Sequence, residues 1–477
     1  MSISERLDRL PGTPLLRKVV LISGLGLMFD AMDQGMVSGV IASIGLDWKL
    51  DSLQLSFLGS SGVLGMMLGA IISGLAADRW GRRTVVLVTL LVFSVGSALC
   101  GMASNFELLL LFRFLTGVGL GGELPVVTTM VSEFSSLKNR GRNVVLVESF
   151  WAWGWILAAL VAYLAIPLYG WRVAFFIGAV PALFAAALRF LIPESPRFLE
   201  QKGRLKEAEA IVSTMERSAG TALPAESGQL LAGEAAEEPP SETLLQEKAS
   251  QALKQEAPSR PHKGQSSLRA FANLWSREYR RSTVVLWVLW FGVNLGYYGF
   301  VLWTPSFLVA QGYELVRSFE FTLIMCLAQV PGYMSAAFLI EKIGRKPVLT
   351  IFLLGTAASA WFFGHASSIE FVLLAGCLLY FFALGTWGCV YSYTPELYPT
   401  GIRGAGAGAA SAFGRVGAFI APMLVPVVYA FFGTENGFQL VFIVLTVVFV
   451  VVGAVVGILG IETKGKELPT TEQENRG

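Results

Sequence analysis

Long blocks of apolar residues are the feature of this sequence that most restricts its fold. Residues 19–44 and residues 438–461 form two such blocks. Each reaches the roughly 20 residues that an α-helix needs to cross the bilayer core, which is about 30 Å thick. Of all 477 residues, 54% are hydrophobic and only 15% are charged, which is too few charges for the surface of a soluble domain of this length. The sequence therefore predicts an all-α protein that crosses a membrane many times.

Twelve such blocks follow one another along the chain, and each is expected to be one membrane-spanning helix. The predicted spans are residues 19–44, 53–77, 84–103, 107–132, 144–168, 172–191, 283–309, 319–340, 347–365, 370–394, 404–431 and 438–461. The one long connection divides them six and six. The predicted units are a six-helix bundle at 1–192, a linker at 193–281, a second six-helix bundle at 282–461 and a tail at 462–477.

The middle of the linker differs in composition from the rest of the chain. Residues 218–265 are rich in Ala, Glu, Pro, Gln and Ser. Such a segment cannot bury a hydrophobic core, so we expect it to be largely disordered, with short helices.

Lysine and arginine lie almost entirely on one side of the predicted spans. The terminal segments and the even-numbered loops hold 30 of the 36, and the odd-numbered loops hold Lys49, Arg172 and Arg317. Positively charged loops stay in the cytoplasm, so both termini are expected there. The formal net charge is only +2, which gives no reason to expect a nucleic acid as a partner.

Two polar motifs recur at one spacing and indicate an internal duplication. Residues 78–83 read DRWGRR after span 2, and residues 341–346 read EKIGRK after span 8, an offset of 341 − 78 = 263. Glu133 and Glu396, at the ends of spans 4 and 10, differ by the same 396 − 133 = 263. Parallel repeats of six helices place a substrate site between the halves, near the middle of the membrane.

The repeated motifs also suggest a gate on the cytoplasmic side. Acids and arginines of a short loop can pair with neighbouring helix ends, which holds one conformation closed. The alternative is that these charges only set the topology. The candidate gating residues are Asp78, Arg82, Glu133, Arg140, Glu341, Arg345, Glu396 and Arg403.

At these motifs the sequence resembles the major facilitator superfamily. Residues 74–83, GLAADRWGRR, are similar to the signature loop of that family. PESPR at 193–197 and ETKG at 462–465 are similar to the closing motifs of its sugar and metabolite porters. The resemblance covers essentially all spans and implies the major facilitator fold, with two pseudo-symmetric bundles that work by alternating access.

Further motifs resemble the bacterial niacin (nicotinate) permease family, which is related to metabolite–proton symporters. They are FDAMD at 29–33, GGELP at 121–125, ESFW at 148–151, YYG at 297–299, YTPE at 393–396 and AFGR at 412–415. The resemblance implies uptake of nicotinate or a similar small aromatic acid across the cell inner membrane. The long linker departs from the family, in which a shorter loop is expected.

Ionisable residues within the predicted spans are costly and usually mark a functional site. They are Asp30, Asp33, Arg113, Glu123, Glu148 and Arg415. At about 1.5 Å per residue, Asp30, Glu123 and Arg415 lie near the middle of the membrane, and Glu148 is shallower. Four acids face two arginines, so we expect at least one carboxyl to hold a proton and to carry it. The proton-coupling candidates are Asp30, Asp33, Glu123 and Glu148; alternatively, these acids only pair with arginines and join helices.

Arg415 is the candidate for binding a substrate carboxylate. A guanidinium stays charged and holds a carboxylate in a planar fork. The resemblance extends to animal organic-anion transporters, which carry a cation in this region of span 11, and so implies an anionic substrate. The alternative is an ion pair with an acid of span 1, 7 or 10. Nearby aromatic rings are expected to form flat walls, or only to pack. The candidate binding residues are Arg415, Tyr297, Tyr298, Trp387, Asp30 and Glu123.

The leading hypothesis is therefore a monomeric proton symporter that imports nicotinate or a similar aromatic carboxylate. A benzoate-type symporter, a sugar porter, a drug exporter and, from another class, a non-transporting receptor are the alternatives. The spans hold no cluster of metal ligands, no nucleophile beside a base and no phosphate-binding loop. This counts against an enzyme and against a bound metal or cofactor.

Overall fold

Helices and turns make up the chain wherever the structure describes it. The structure is a computed structural model that describes residues 3–10, 12–136, 140–180, 191–219 and 271–464, and no β-strand occurs within those ranges. The predicted all-α class is confirmed. Most of the segment predicted to be disordered, together with most of the predicted tail, lies outside the described residues.

The first half consists of one short helix, the helices of spans 1 to 6 and two helices that follow them. They are α1 Ile3–Arg9, α2 Pro14–Asp47, α3 Ser52–Trp80, α4 Arg82–Met102, α5 Phe106–Phe134, α6 Arg140–Glu148, α7 Phe150–Leu164, α8 Ile166–Tyr169, α9 Arg172–Gly178, α10 Pro196–Gln201 and α11 Leu205–Ala219. Span 5 is divided among α6, α7 and α8. Span 6 begins with α9, and its continuation at residues 181–190 lies outside the described part.

The second half holds spans 7 to 12. Its helices are α12 Arg280–Val301, α13 Thr304–Ala310, α14 Leu315–Leu327, α15 Gln329–Ile343, α16 Arg345–Gly364, α17 Ile369–Tyr393, α18 Thr400–Ile420, α19 Leu424–Phe432 and α20 Thr434–Leu459. Short 3-10 turns at Thr394–Leu397 and Ala421–Met423 follow α17 and α18. Each of these turns contains a proline, which has no N–H to continue the α-helical ladder.

Ten stretches of described helix are long and apolar enough to cross a membrane, and they correspond to spans 2–5 and 7–12. Span 1 is the 34-residue helix α2. The helices alternate in direction, so both ends of the bundle's chain lie on one side. That side, where α2 begins and α20 ends, is called the terminal side below, and the opposite side is called the far side.

The two halves repeat one packing pattern. In the first half, α3 and α4 both pack on α5, α2 packs on α7, and α4 packs on α9. In the second half, α15 and α16 both pack on α17, α12 packs on α18, and α16 packs on α20. Gly81 and Gly344 are equivalent in the repeat (344 − 81 = 263) and have φ angles of 96° and 101°. Only glycine adopts that backbone readily, so the tight loop itself is duplicated.

The short helix α1 packs against α11 on the terminal side. Ile3 and Leu7 are buried in the apolar cluster that lies under α11. The guanidinium of Arg6 bonds both Glu209 and Glu216, the latter at 2.6 Å. Ion pairs and apolar contacts therefore hold α1 against α11, at the start of the linker.

Candidate substrate site

A cavity of about 1040 Å³, including its open mouth, lies between the two halves. Its walls come from spans 1, 2, 4 and 5 of the first half and from spans 7, 8, 10 and 11 of the second. Ligand sites of small molecules are typically concave and largely apolar, as this cavity is. This is the place where the duplicated sequence predicts the substrate.

The halves are joined on the far side of this cavity. The hydroxyl of Ser56 in α3 donates to the Pro422 carbonyl over 2.7 Å, and that of Ser60 donates to the Phe419 carbonyl over 2.9 Å. Both acceptors lie where span 11 changes from α-helix to a 3-10 turn. Direct hydrogen bonds thus join the halves on the far side.

Arg415 in α18 lines the cavity. Its electrostatic neighbours are the hydroxyl groups of Tyr298 and Tyr391. Among the described residues, no carboxylate forms an ion pair with it within 4.0 Å, whereas Arg113 and Arg345 do have such partners. The structure therefore does not contain the internal ion pair that was the alternative for Arg415, and its guanidinium is available to a ligand.

Aromatic rings surround the same space. Tyr297 is 2% exposed and makes edge contacts with Tyr298 and Trp387, at centroid distances of 5.5 and 6.1 Å. Trp387 is nearly parallel to Tyr391. All four line the cavity. The three aromatic residues selected from the sequence are thus brought together with Arg415.

Asp30 and Glu123 form a buried pair of carboxyl groups. Both are at most 1% exposed, and each acts on the other electrostatically. Asp30 lines the cavity, whereas Glu123 lies behind it, against Gly26. No cation forms an ion pair with either acid in the described part of the chain.

Asp33 has a different environment, although it is only three residues from Asp30. One oxygen of Asp33 accepts a 2.8 Å bond from Arg113, and the other accepts a bond from Ser97. Asp33 and Arg113 are both buried. Asp33 is therefore in an ion pair within the first half and is not among the residues that line the cavity.

Glu148 ends α6, at the break in span 5, and faces the second half. It lines the cavity, and its electrostatic neighbours include Tyr333 and Tyr391. Tyr391 interacts with both Glu148 and Arg415. Although the sequence places Glu148 nearer the terminal side, it belongs to the same cavity as Arg415 and Asp30.

The charged motifs form matching pairs on the terminal side. The guanidinium of Arg82 pairs with Glu133 at 3.0 Å, and that of Arg345 pairs with Glu396 at 3.2 Å. Each of these pairs joins two helices of one half. Arg345 also contacts the exposed Glu341.

The other candidate gating residues are less directly involved. Arg403 donates to the Tyr398 carbonyl, and Arg140 is an electrostatic neighbour of Glu133. The side chain of Asp78 lies outside the described part of the structure.

Gln34 was missed by the sequence analysis, because a neutral amide within a span carries no charge signal. Its Oε1 atom accepts a 3.1 Å hydrogen bond from the Tyr298 hydroxyl, which joins the two halves. It lies four residues after Asp30, hence on the same face of α2, and lines the cavity. That spacing is the signal that could have identified it.

The fold and the cavity define a membrane transporter of the major facilitator type, and comparison with known proteins agrees. The family model described as "Sugar (and other) transporter" matches residues 30–474. The chain belongs to this family, and it is a transporter and not an enzyme. Among solved structures, the xylose transporter XylE from E. coli, partially occluded and inward-open, is similar with a TM-score of 0.71. It is 20% identical, and the match covers 95% of this chain and 100% of XylE.

Two curated relatives are much more similar in sequence. The niacin transporter NiaP of Acinetobacter baylyi is 43% identical over 98% of this chain and 99% of its own length. A Bacillus subtilis protein, also called NiaP and named for niacin and nicotinamide, is 40% identical over 95% of this chain and 98% of its own. The resemblance to niacin permeases is confirmed over nearly the whole chain.

Proposed function

We propose that this protein imports nicotinate, or a closely similar aromatic carboxylate, by proton symport and alternating access. The observation that carries the proposal is Arg415, a guanidinium on the cavity wall with no ion pair among the described residues. A buried charge without a partner is costly. A bound carboxylate would neutralise it and would be held in a planar fork.

The aromatic walls support a flat substrate. Tyr297, Tyr298 and Trp387 meet edge to face around the cavity, and such faces bind an aromatic ring in offset or edge-to-face arrangements. A sugar would need many hydrogen bonds and would leave Arg415 uncompensated. The relative named for niacin alone favours a pyridine carboxylate among the possible aromatic acids. The second relative is named for niacin and nicotinamide, which share the pyridine ring.

The buried carboxyl pair supports proton coupling. Two carboxylates so close to each other in a low-dielectric site cannot both be ionised without a large cost. Asp30 and Glu123 therefore share at least one proton. Because Asp30 lines the cavity and Glu123 lies behind it, a change in the cavity's charge on substrate binding would alter how firmly that proton is held. Glu148 is the second cavity acid that could take part.

The membrane orientation is part of the proposal. The excess of Lys and Arg on the terminal side favours a cytoplasmic location for both termini, in the inner membrane of the cell. The far side is then the outside, and the hydrogen bonds of Ser56 and Ser60 that join the halves there support an inward-facing state. The proposed functional unit is a monomer. A cysteine introduced at Gln229 should resist labelling from outside intact cells, and ready labelling would reverse the orientation.

Measuring the affinity for nicotinate and for nicotinamide, in wild type and in two Arg415 variants, tests the substrate. Nicotinamide has the same ring without the negative charge, so the wild type should bind it far more weakly. Arg415→Ala should lower nicotinate affinity about ten- to a hundredfold, the usual cost of a lost charge-assisted bond. Arg415→Lys keeps the charge but not the fork and should be less impaired. If Arg415→Ala keeps the preference for nicotinate, Arg415 does not bind the carboxylate and the substrate assignment is wrong.

A further inference from the structure

Gln34 presents an amide nitrogen that lacks a partner. Gln34 is only 7% exposed, and its Nε2 atom is buried without a hydrogen-bond partner in the described part of the chain. A buried donor left unpaired costs about 1–3 kcal/mol. Native structures keep few such groups, so a buried donor on a cavity wall is a candidate to bind an acceptor atom of a ligand.

The orientation of the amide is set from the opposite half. Because the Tyr298 hydroxyl donates to Oε1 of Gln34, the carbonyl end is occupied and the two N–H groups are left for another acceptor. Tyr298 is also an electrostatic neighbour of Arg415. Gln34 and Arg415 also line the same cavity, so a ligand in that cavity can meet both.

Two other hydroxyl groups at the cavity, those of Tyr297 and Tyr333, also lack a hydrogen-bond partner in the described chain. Both lie near other protein groups with which they can interact. The Tyr297 hydroxyl lies near Tyr380 and Cys326, and the Tyr333 hydroxyl lies near Glu148, an acceptor for its proton. Asp30 and Glu148 donate only when they are protonated. Gln34 donates at any physiological pH, because an amide does not titrate.

We propose that the side-chain amide of Gln34 donates a hydrogen bond to the ring nitrogen of a pyridine carboxylate whose carboxylate is held by Arg415. This inference rests on the proposed function and adds to it the atom by which the site distinguishes a pyridine from a benzene ring. Nicotinate and benzoate are both flat monocarboxylates, and the ring nitrogen, a hydrogen-bond acceptor, is the difference between them. One residue of each half then binds the same ligand, so the ligand links span 1 to span 11.

The test compares nicotinate and benzoate affinity in the full-length protein and in Gln34→Met. Methionine keeps the length and approximate volume of glutamine but lacks the amide. The nicotinate affinity should fall about tenfold, as for a lost neutral hydrogen bond that leaves an acceptor unpaired, while the benzoate affinity is unchanged. The preference for nicotinate over benzoate should therefore nearly disappear.

A matched control is available in span 8. Gln329 is fully buried, lies beside Cys326 and does not line the cavity. Gln329→Met should leave the ratio of the two affinities as in the wild type, which shows that loss of a buried amide elsewhere does not change selectivity.

The outcomes separate this inference from the proposed function. If the wild type does not bind nicotinate, the proposed function fails. If the wild type prefers nicotinate and Gln34→Met keeps that preference, only the inference is wrong. Equal losses for nicotinate and benzoate would place Gln34 at the carboxylate and also overturn it. Unchanged benzoate binding in Gln34→Met shows that the variant is folded with an intact cavity.

Discussion

The ionisable residues within the membrane divide into those that form an ion pair with another described residue and those that do not. Asp33 and Arg113 satisfy each other at 2.8 Å. Asp30, Glu123 and Arg415 have no such partner in the described chain, and Asp30 and Arg415 line the cavity. The proton-coupling candidates of the sequence analysis are therefore not equivalent. We expect their neutral variants to fail in different ways.

The Asp30→Asn and Glu123→Gln variants should fold, because each replaces one member of an acid pair by a neutral isostere. If the pair carries the proton, one or both should lose accumulation driven by a proton gradient and keep exchange across vesicle membranes. Uptake into vesicles with and without an imposed pH gradient measures this. Normal gradient-driven accumulation in both variants would transfer the role to Asp33 or Glu148.

Asp33→Asn should instead lose folded protein, since it leaves the Arg113 guanidinium buried and unpaired at a cost of about 3–5 kcal/mol. Replacing the arginine as well, in Asp33→Asn with Arg113→Met, should restore the yield. A well-folded Asp33→Asn single variant that has lost only proton coupling would show that Asp33 is a carrier.

The sequence predicts charged members of the site well and neutral ones poorly. Arg415 and Asp30 stand out because an ionisable group is rare within a span. Gln34 does not stand out, and its role depends on Tyr298, which lies 264 residues later in the chain and in the opposite half. Likewise, the sequence places Asp30 and Asp33 on one face of a helix. Only the packing of α5 shows that Asp33 meets Arg113 and that Asp30 meets Glu123.

At the scale of elements, two equivalent helices begin against a carboxylate. Glu194 accepts hydrogen bonds from the backbone N–H groups of Arg82 and Arg83 at the start of α4. Glu462 does the same for Arg345 and Lys346 at the start of α16, each over 3.1 Å. An anion at a helix N-terminus satisfies free N–H groups and is favoured by the helix dipole. The two loops with left-handed glycines are thus each closed by an acid from a distant segment.

This arrangement predicts a dependence of stability on pH. Partial burial alone would raise the pKa of Glu462, but hydrogen bonds from the backbone N–H groups of Lys464, Arg345, Lys346 and Thr463 outweigh it, so the pKa lies below its ordinary value. A lowered pKa means that the stabilisation is complete above the unfolded-state pKa of about 4.3 and is lost as the pH falls through the folded-state value.

Glu462→Gln should therefore unfold at a lower temperature than the wild type at pH 7, by the effect of about 1 kcal/mol or less that is typical of charges at helix ends. The difference should begin to shrink below the unfolded-state pKa of about 4.3 and should vanish once the pH is below the lower folded-state value. Thermal unfolding of the detergent-solubilised protein across this range measures both. A difference that persists unchanged in acid would show that the carboxylate charge is not what stabilises α16.

At the scale of the whole molecule, the ion pairs of the described residues each stay within one half. Arg82 pairs with Glu133, and Arg345 pairs with Glu396. Among the described residues, the halves are joined by the hydrogen bonds of Ser56 and Ser60 on the far side and by the Tyr298–Gln34 bond at the cavity. Apolar packing also joins them, as between Trp155 and Tyr297. This division suits alternating access, since each half can move as a body while the contacts between them exchange.

Because Arg6 binds α1 to α11 through ion pairs within the first half, we expect that the protein can be produced as two separate polypeptides. All elements from α1 to α11 lie before residue 220, and all from α12 to α20 lie after residue 270. A gene divided within that interval would encode two polypeptides, each with a complete repeat and its own ionic closure. Co-expressed in one membrane, they should reassemble and restore nicotinate uptake. A division after Ala103, between α4 and α5, separates helices that pack along their length, and we expect those fragments to give no uptake.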